Sequence, residues 1–264
     1  MNILKLTPSE RKIKRDLKKI LFGKYLFCPH CKGRQIKAYG GRYHCRRCRK
    51  FFSLLSVSWL KGSKLPLQTI WLMIYCYARK IPVLQSQELC GVTEPTLRRW
   101  FDRLRDHLPE QSFEKLSGIV QMDEMFKKGA MIIGAKQVGT RNIICVPYNK
   151  TDADRKDIVA FLGQFITPYK TQLNTDGASI YKGIQDYWPV WHERDIHKKF
   201  EFAKTSEIEG VWAVFRTFIR RMYHHITNIK LSEYLYEFCI RFSQPEIFDS
   251  PYTYLQKTLC PVSY

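Results

Sequence analysis

Three acidic residues, spread from the middle of the chain onward, most constrain its fold. Asp123 sits in GIVQMDEMF, Asp176 in TQLNTDGAS and Glu209 in TSEIEGVWAVF. The first two end short apolar runs that read as strands, and the third opens a long amphipathic run that reads as a helix. Two strand ends and one helix can bring three carboxylates onto a pair of divalent cations, which suits cutting and joining a nucleic-acid backbone. The surrounding pattern agrees. Residues 119–122, 130–138 and 142–148 read as strands, with turns at Lys127-Lys128-Gly129 and Gly139-Thr140. Residues 154–166 place Ile158, Phe161, Leu162 and Phe165 at helical spacing. Residues 171–175 and 193–197 read as short strands, and 207–223 and 231–242 as amphipathic helices. This order predicts an α/β domain, a mixed sheet with helices on its faces.

The charge balance indicates the kind of partner. The chain carries 44 Lys+Arg against 24 Asp+Glu, a formal net charge of +20. Such a chain favours a polyanion, with nucleic acid foremost. Because 45% of residues are apolar and 14% aromatic, it builds a core rather than a disordered basic tail. No apolar run reaches membrane-spanning length, so no membrane partner is expected. The first residues, MNILKLTPSERKIKRDLKKI, read as a basic helix without the apolar core of a signal peptide. The expected location is cytoplasmic, at the nucleoid.

The chain divides into a basic helix (1–23), a cysteine-bearing hairpin unit (24–56), a helical unit (66–108), the mixed-sheet block (117–243) and a tail (244–264). The tail holds Pro245, Pro251 and Pro261 and shows no clear period. Residues 108–118, poor in apolar side chains, read as a linker.

Of nine cysteines, four form two CxxC pairs, Cys28-Pro-His-Cys31 and Cys45-Arg-Arg-Cys48. This pattern suits a metal site in a reducing compartment better than a disulfide framework. Four thiolates at this spacing can close a tetrahedral, structural Zn²⁺ site, with Gly40-Gly41 turning the hairpin between them. Arg46 and Arg47, among many cations here, suit contact with DNA phosphates. In the helical unit Gly91 provides a turn and Thr93 an N-cap, with Pro95 in the first helical turn. The layout is that of a helix-turn-helix, with Thr96, Arg98, Arg99 and Arg103 as candidate DNA contacts and Leu97, Trp100 and Leu104 facing the core.

From about residue 27 to 242 the chain resembles the zinc-ribbon DDE transposases of bacterial insertion sequences related to Merlin elements, the ISXO2-like group. The resemblance rests on Val120-Gln121-Met122-Asp123-Glu124-Met125, on Thr175-Asp176-Gly177 followed by Tyr181, on Ser206-Glu207-Ile208-Glu209-Gly210-Val211-Trp212, and on Tyr223-His224-His225. It implies a ribonuclease-H-like catalytic domain preceded by a zinc ribbon and a helix-turn-helix. It implies catalysis by Asp123, Asp176 and Glu209, holding Mg²⁺ or Mn²⁺, on double-stranded DNA bearing element terminal repeats and on target DNA. Homo-oligomers on DNA are expected, because two ends must be handled. Glu207 competes with Glu209 as third acid. Arg216 stands where the family usually has lysine; it can bind phosphate bidentately but cannot donate a proton. Glu124 reads as a neighbour of the site and Trp212 as core. A catalytically inactive or domesticated DNA-binding protein is the alternative, but the presence of all three acids favours the enzyme.

Overall fold

A computed structural model describes residues 7–111, 114–127, 129–195 and 204–263. The chain forms two units, Met1–Pro109 with Glu246–Tyr264, and Glu110–Pro245.

The first unit opens with α1 (Glu10–Phe22), whose first turn is capped by the Ser9 hydroxyl accepting from the Lys12 N–H; Ile13, Leu17 and Leu21 form its buried stripe. A three-stranded antiparallel sheet follows: β1 (Ile36–Tyr39), β2 (Arg42–Cys45) and β3 (Phe51–Phe52). Strand alternation turns Tyr43, Cys45 and Phe52 to one face. There the Phe22 ring meets Phe27 and Phe52 at centroid distances of 5.3 and 6.0 Å. Three helices complete this part: α2 (Leu67–Ala78), α3 (Val83–Cys90) and α4 (Glu94–Asp106). Gly91 ends α3 in the left-handed region (φ 62°), which glycine adopts without a Cβ clash. Leu97, Trp100 and Leu104 are buried, as their spacing predicts. Thr93 stands at the N-cap of α4, but its hydroxyl pairs with the Thr96 hydroxyl at 2.9 Å and caps no helix amide.

The second unit is built on a five-stranded sheet: β4 (Leu116–Lys127), β5 (Ala130–Gln137), β6 (Ile143–Tyr148), then, after α5 (Arg155–Phe165), β7 (Ile166–Thr175) and β8 (Trp191–Arg194). Its spatial order is β6-β5-β4-β7-β8, antiparallel from β4 to β6 and parallel from β4 to β8. This is the mixed α/β sheet expected from the sequence. Val120, Met122, Ile133, Leu173 and the α5 residues Ile158, Phe161 and Leu162 form the core on one face. The other face receives α6 (Ser206–Met222), and α7 (Leu231–Ser243) packs against β6. Strands β4 and β7 are longer than their apolar runs suggested, so Asp123 lies within β4 rather than at its end. The continuing hairpin with β5, paired as far as Lys127↔Ala130, extends the strand past the acid. The strand expected at 193–197 is β8, and His197 lies outside the described residues.

The tail also departs from expectation. Ser250 caps a helix, α8 (Pro251–Thr258), whose Tyr254 and Leu255 are buried in the first unit, with Tyr254 6.0 Å from the Tyr77 ring. A serine cap followed by proline at the first helical position was the available signal.

Candidate active site and cysteine site

Register brings the first two acids together. Parallel strands β4 and β7 pair through Gln121↔Asn174. Asp123 and Asp176 each lie two residues beyond that pair. They therefore fall beside one another, on the sheet face that Gln121 and Asn174 share. Asp176 follows the last residue of β7, and its carboxylate accepts the Ala178 N–H at 3.0 Å, which fixes the turn.

Helix α6 brings the third. Its N-terminus is tied to the same strand: the Gln121 side-chain oxygen accepts the Ile208 N–H at 2.9 Å, satisfying an amide that the helix itself leaves unpaired. One turn on, Trp212 Nε1 donates to Asp123 at 3.0 Å. This contact needs Gly134, the β5 residue paired with Asp123. A Cβ there would lie 2.3 Å from the Trp212 ring. Trp212 is buried, as expected of a core residue, but it also orients the first acid.

The electrostatics record the convergence. Burial first, then the charges of Asp176 and Glu209, raise the Asp123 carboxyl to about 6, against hydrogen bonds from the Glu124 N–H and Trp212. Glu124, on the opposite face, is raised to about 7 by burial and receives the buried Tyr181 hydroxyl. Behind Asp176, His192 Nε2 lies 3.0 Å from the Thr175 hydroxyl.

The two candidate third acids occupy different surroundings. Glu207 pairs at 2.9 Å with Lys136, a buried cation that also donates to the Gln137 and Thr140 carbonyls. Glu209 accepts from the Thr205 hydroxyl at 3.2 Å and lies within electrostatic reach of Asp123. Arg216, two turns along α6, is exposed. His224 and His225 are exposed beyond its C-terminus.

The family comparison bears on this unit. Residues 126–243 match the ISXO2-like transposase domain, a span holding Asp176 and Glu209 and beginning just after Asp123. This stretch is similar to an ISXO2-like DDE transposase domain. No curated protein matches this chain. Its solved structural relatives include the catalytic core domain of BIV integrase (10% identity, TM-score 0.37, 48% of this chain and 84% of that one). They also include the simian T-cell lymphotropic virus intasome in complex with PP2A regulatory subunit B56 gamma (10% identity, TM-score 0.36, 64% and 67%). The chain's fold class rests on its strand order.

In the other unit, Cys28, Cys31, Cys45 and Cys48 place their sulfurs within 4.8 Å of one another, the one such group among the described residues. Cys28–Cys48 and Cys31–Cys45 sulfurs are 3.5 and 3.6 Å apart, too far for disulfides and close to the ~3.8 Å edge of a tetrahedron with 2.3 Å zinc–sulfur bonds. The two knuckles repeat one geometry: the residue after each, Lys32 and Arg49, has φ 60°, and its N–H returns to the carbonyl of the first cysteine at 2.9 and 2.8 Å. The donor set fits a closed, structural zinc site.

The expected DNA contacts separate into two groups. Arg46, Arg47, Arg98 and Arg99 are exposed and Thr96 is half-buried, although Arg98 is paired with Glu94 at 2.7 Å. Arg103 is engaged inside its own unit. It donates to the Trp59 and Lys61 carbonyls and lies over the Trp59 and Trp100 rings at 5.7 and 5.2 Å. Within this unit Arg103 therefore acts as a brace. Among the described residues no helix is long and apolar enough to cross a membrane.

Proposed function

We propose that this chain is a transposase that binds the terminal repeats of a mobile element and cuts and rejoins DNA at a divalent-metal centre held by Asp123, Asp176 and Glu209. The observation that carries the reading is the β4–β7 register beside α6, where burial first and then the charges of Asp176 and Glu209 raise Asp123. An all-oxygen donor set of clustered carboxylates suits Mg²⁺ or Mn²⁺. Asp123, Asp176 and Glu209 would hold such ions, which would supply activation of a water or a 3′-hydroxyl and charge stabilisation of the leaving oxygen. The chain's own residues do the positioning: Trp212 orients Asp123, Gln121 fixes the start of α6, and the turn at Ala178 holds Asp176. Glu207 neutralises Lys136 and leaves Glu209 as the third ligand. Arg216 offers a guanidinium to the DNA backbone, as do Arg46, Arg47, Arg98 and Arg99. Hydrolysis frees the element's 3′ end, and transesterification joins it to target DNA; neither step needs ATP. The protein acts in the cytoplasm at the nucleoid, as a homo-oligomer that holds two ends.

The test is a supercoiled plasmid carrying the native ends, incubated with the zinc-loaded protein and Mg²⁺. Strand-transfer products are expected. Nicking alone would reduce the protein to a nuclease, and a footprint without cleavage would make it a non-catalytic DNA binder.

A further inference from the structure

The open face of the cysteine-bearing sheet has a chemistry that the catalytic reading does not use. Alternation along β1–β3 sends Tyr43, Cys45 and Phe52 inward and Lys37, Tyr39, Arg42, His44 and Phe51 outward. Tyr39 is 62% exposed and Phe51 47% exposed, and Lys37 and Arg42 are exposed. These side chains form one continuous surface. The Phe51 ring has His44 at 4.6 Å, Tyr39 at 5.9 Å and the Arg42 guanidinium at 5.3 Å. Around it, residues 24–56 carry nine Lys or Arg and no Asp or Glu.

We infer that this face binds a single DNA strand, stacking unpaired bases on Tyr39 and Phe51 while Lys37 and Arg42 hold its phosphates. The charge selects a polyanion. The rings select among polyanions: a duplex keeps its base faces stacked inside and offers mainly phosphates, whereas an unpaired strand offers flat π-faces that aromatic side chains take up. A cationic rim around exposed rings on a rigid sheet meets both needs. The reading rests on the proposed strand cleavage only for the source of the strand, the unpaired nucleotides beside a cut element end. The binding itself needs no catalysis.

The experiment uses the full-length, zinc-loaded protein without Mg²⁺. Fluorescence anisotropy compares a labelled oligothymidylate of about 12 nucleotides with a blunt duplex. Tyr39→Ala with Phe51→Ala is expected to weaken strand binding about tenfold or more and to leave duplex binding within about twofold. Tyr39→Trp with Phe51→Trp is expected to retain strand binding. A zinc-replete alanine pair that binds the strand like the wild type overturns the proposal. Crosslinking guards against misfolding of that pair. A strand carrying 5-iododeoxyuridine, irradiated on the wild-type protein, is expected to crosslink within residues 36–52, and crosslinks found only elsewhere overturn the proposal as well. Strand binding that persists in Asp123→Asn, while cleavage is lost, separates this inference from the catalytic reading.

Discussion

The cysteine cluster and the proposed carboxylate centre gather their groups in opposite ways. The four thiols come from two knuckles that repeat one local geometry, and their sulfurs all lie within 4.8 Å of one another. The three carboxylates come from two strands and a helix, and among the described residues they do not form so tight a group. Each has a separate support: Trp212 for Asp123, the Ala178 N–H for Asp176, Thr205 for Glu209. A structural site gains stability from closure. The proposed catalytic centre must keep room for substrate, and burial first, then the charges of Asp176 and Glu209, raise Asp123 to about 6.

If closure is what stabilises the thiol site, breaking it has the largest effect. Cys28→Ser is expected to abolish zinc retention and unfold the ribbon, because structural zinc contributes on the order of 10 kcal/mol. Zinc stoichiometry and amide exchange over residues 28–52 read this out; a ribbon equally protected without metal would remove the contrast. At the carboxylate site the loss falls on rate. Asp123→Asn, Asp176→Asn and Glu209→Gln should each slow cleavage of an end-bearing duplex at least about a thousandfold. Glu207→Gln should slow it less than about tenfold. If Glu207→Gln is the dead variant and Glu209→Gln is active, the third assignment is wrong.

The supports give smaller effects. Gly134→Ala drives a methyl into the Trp212 ring and should cost about 1–3 kcal/mol in chemical denaturation, with reduced cleavage. Unchanged stability would mean that the indole does not need that glycine. The last prediction concerns pH. Asp123 holds its proton to about 6 when folded, against an ordinary value of 3.8. It therefore costs nothing below about pH 4. The cost grows between the two values and is complete above about 6. Asp123→Asn should thus stabilise the metal-free protein by about 3 kcal/mol at pH 7, fading as pH falls through 6 toward 4. A gain independent of pH would point to packing instead.

The same contrast explains what was legible in the sequence. Two CxxC pairs state their site outright, because each knuckle is local. The acids were legible as an ordered set, since Asp176 follows an apolar run and Glu209 opens an amphipathic one. The extent of β4 was not, because pairing with β5, a long-range effect, carries the strand past Asp123. Gln121, Gly134 and Lys136 were also hidden. A glutamine two residues before an acid, a glycine in a strand and a lysine in an apolar run gain meaning only once α6 lies across the sheet. The packing of Arg103 was hidden for a related reason: basic spacing on α4 cannot reveal that the carbonyls of Trp59 and Lys61 lie within its reach.

The most direct test of convergence is iron-mediated cleavage of the protein itself. Fe²⁺ with ascorbate and peroxide, bound in place of Mg²⁺, should cut the backbone near Asp123, Asp176 and Glu209 together, and excess Mg²⁺ should suppress all three cuts. Cuts at one of these segments alone, or cuts indifferent to Mg²⁺, would contradict a shared metal centre.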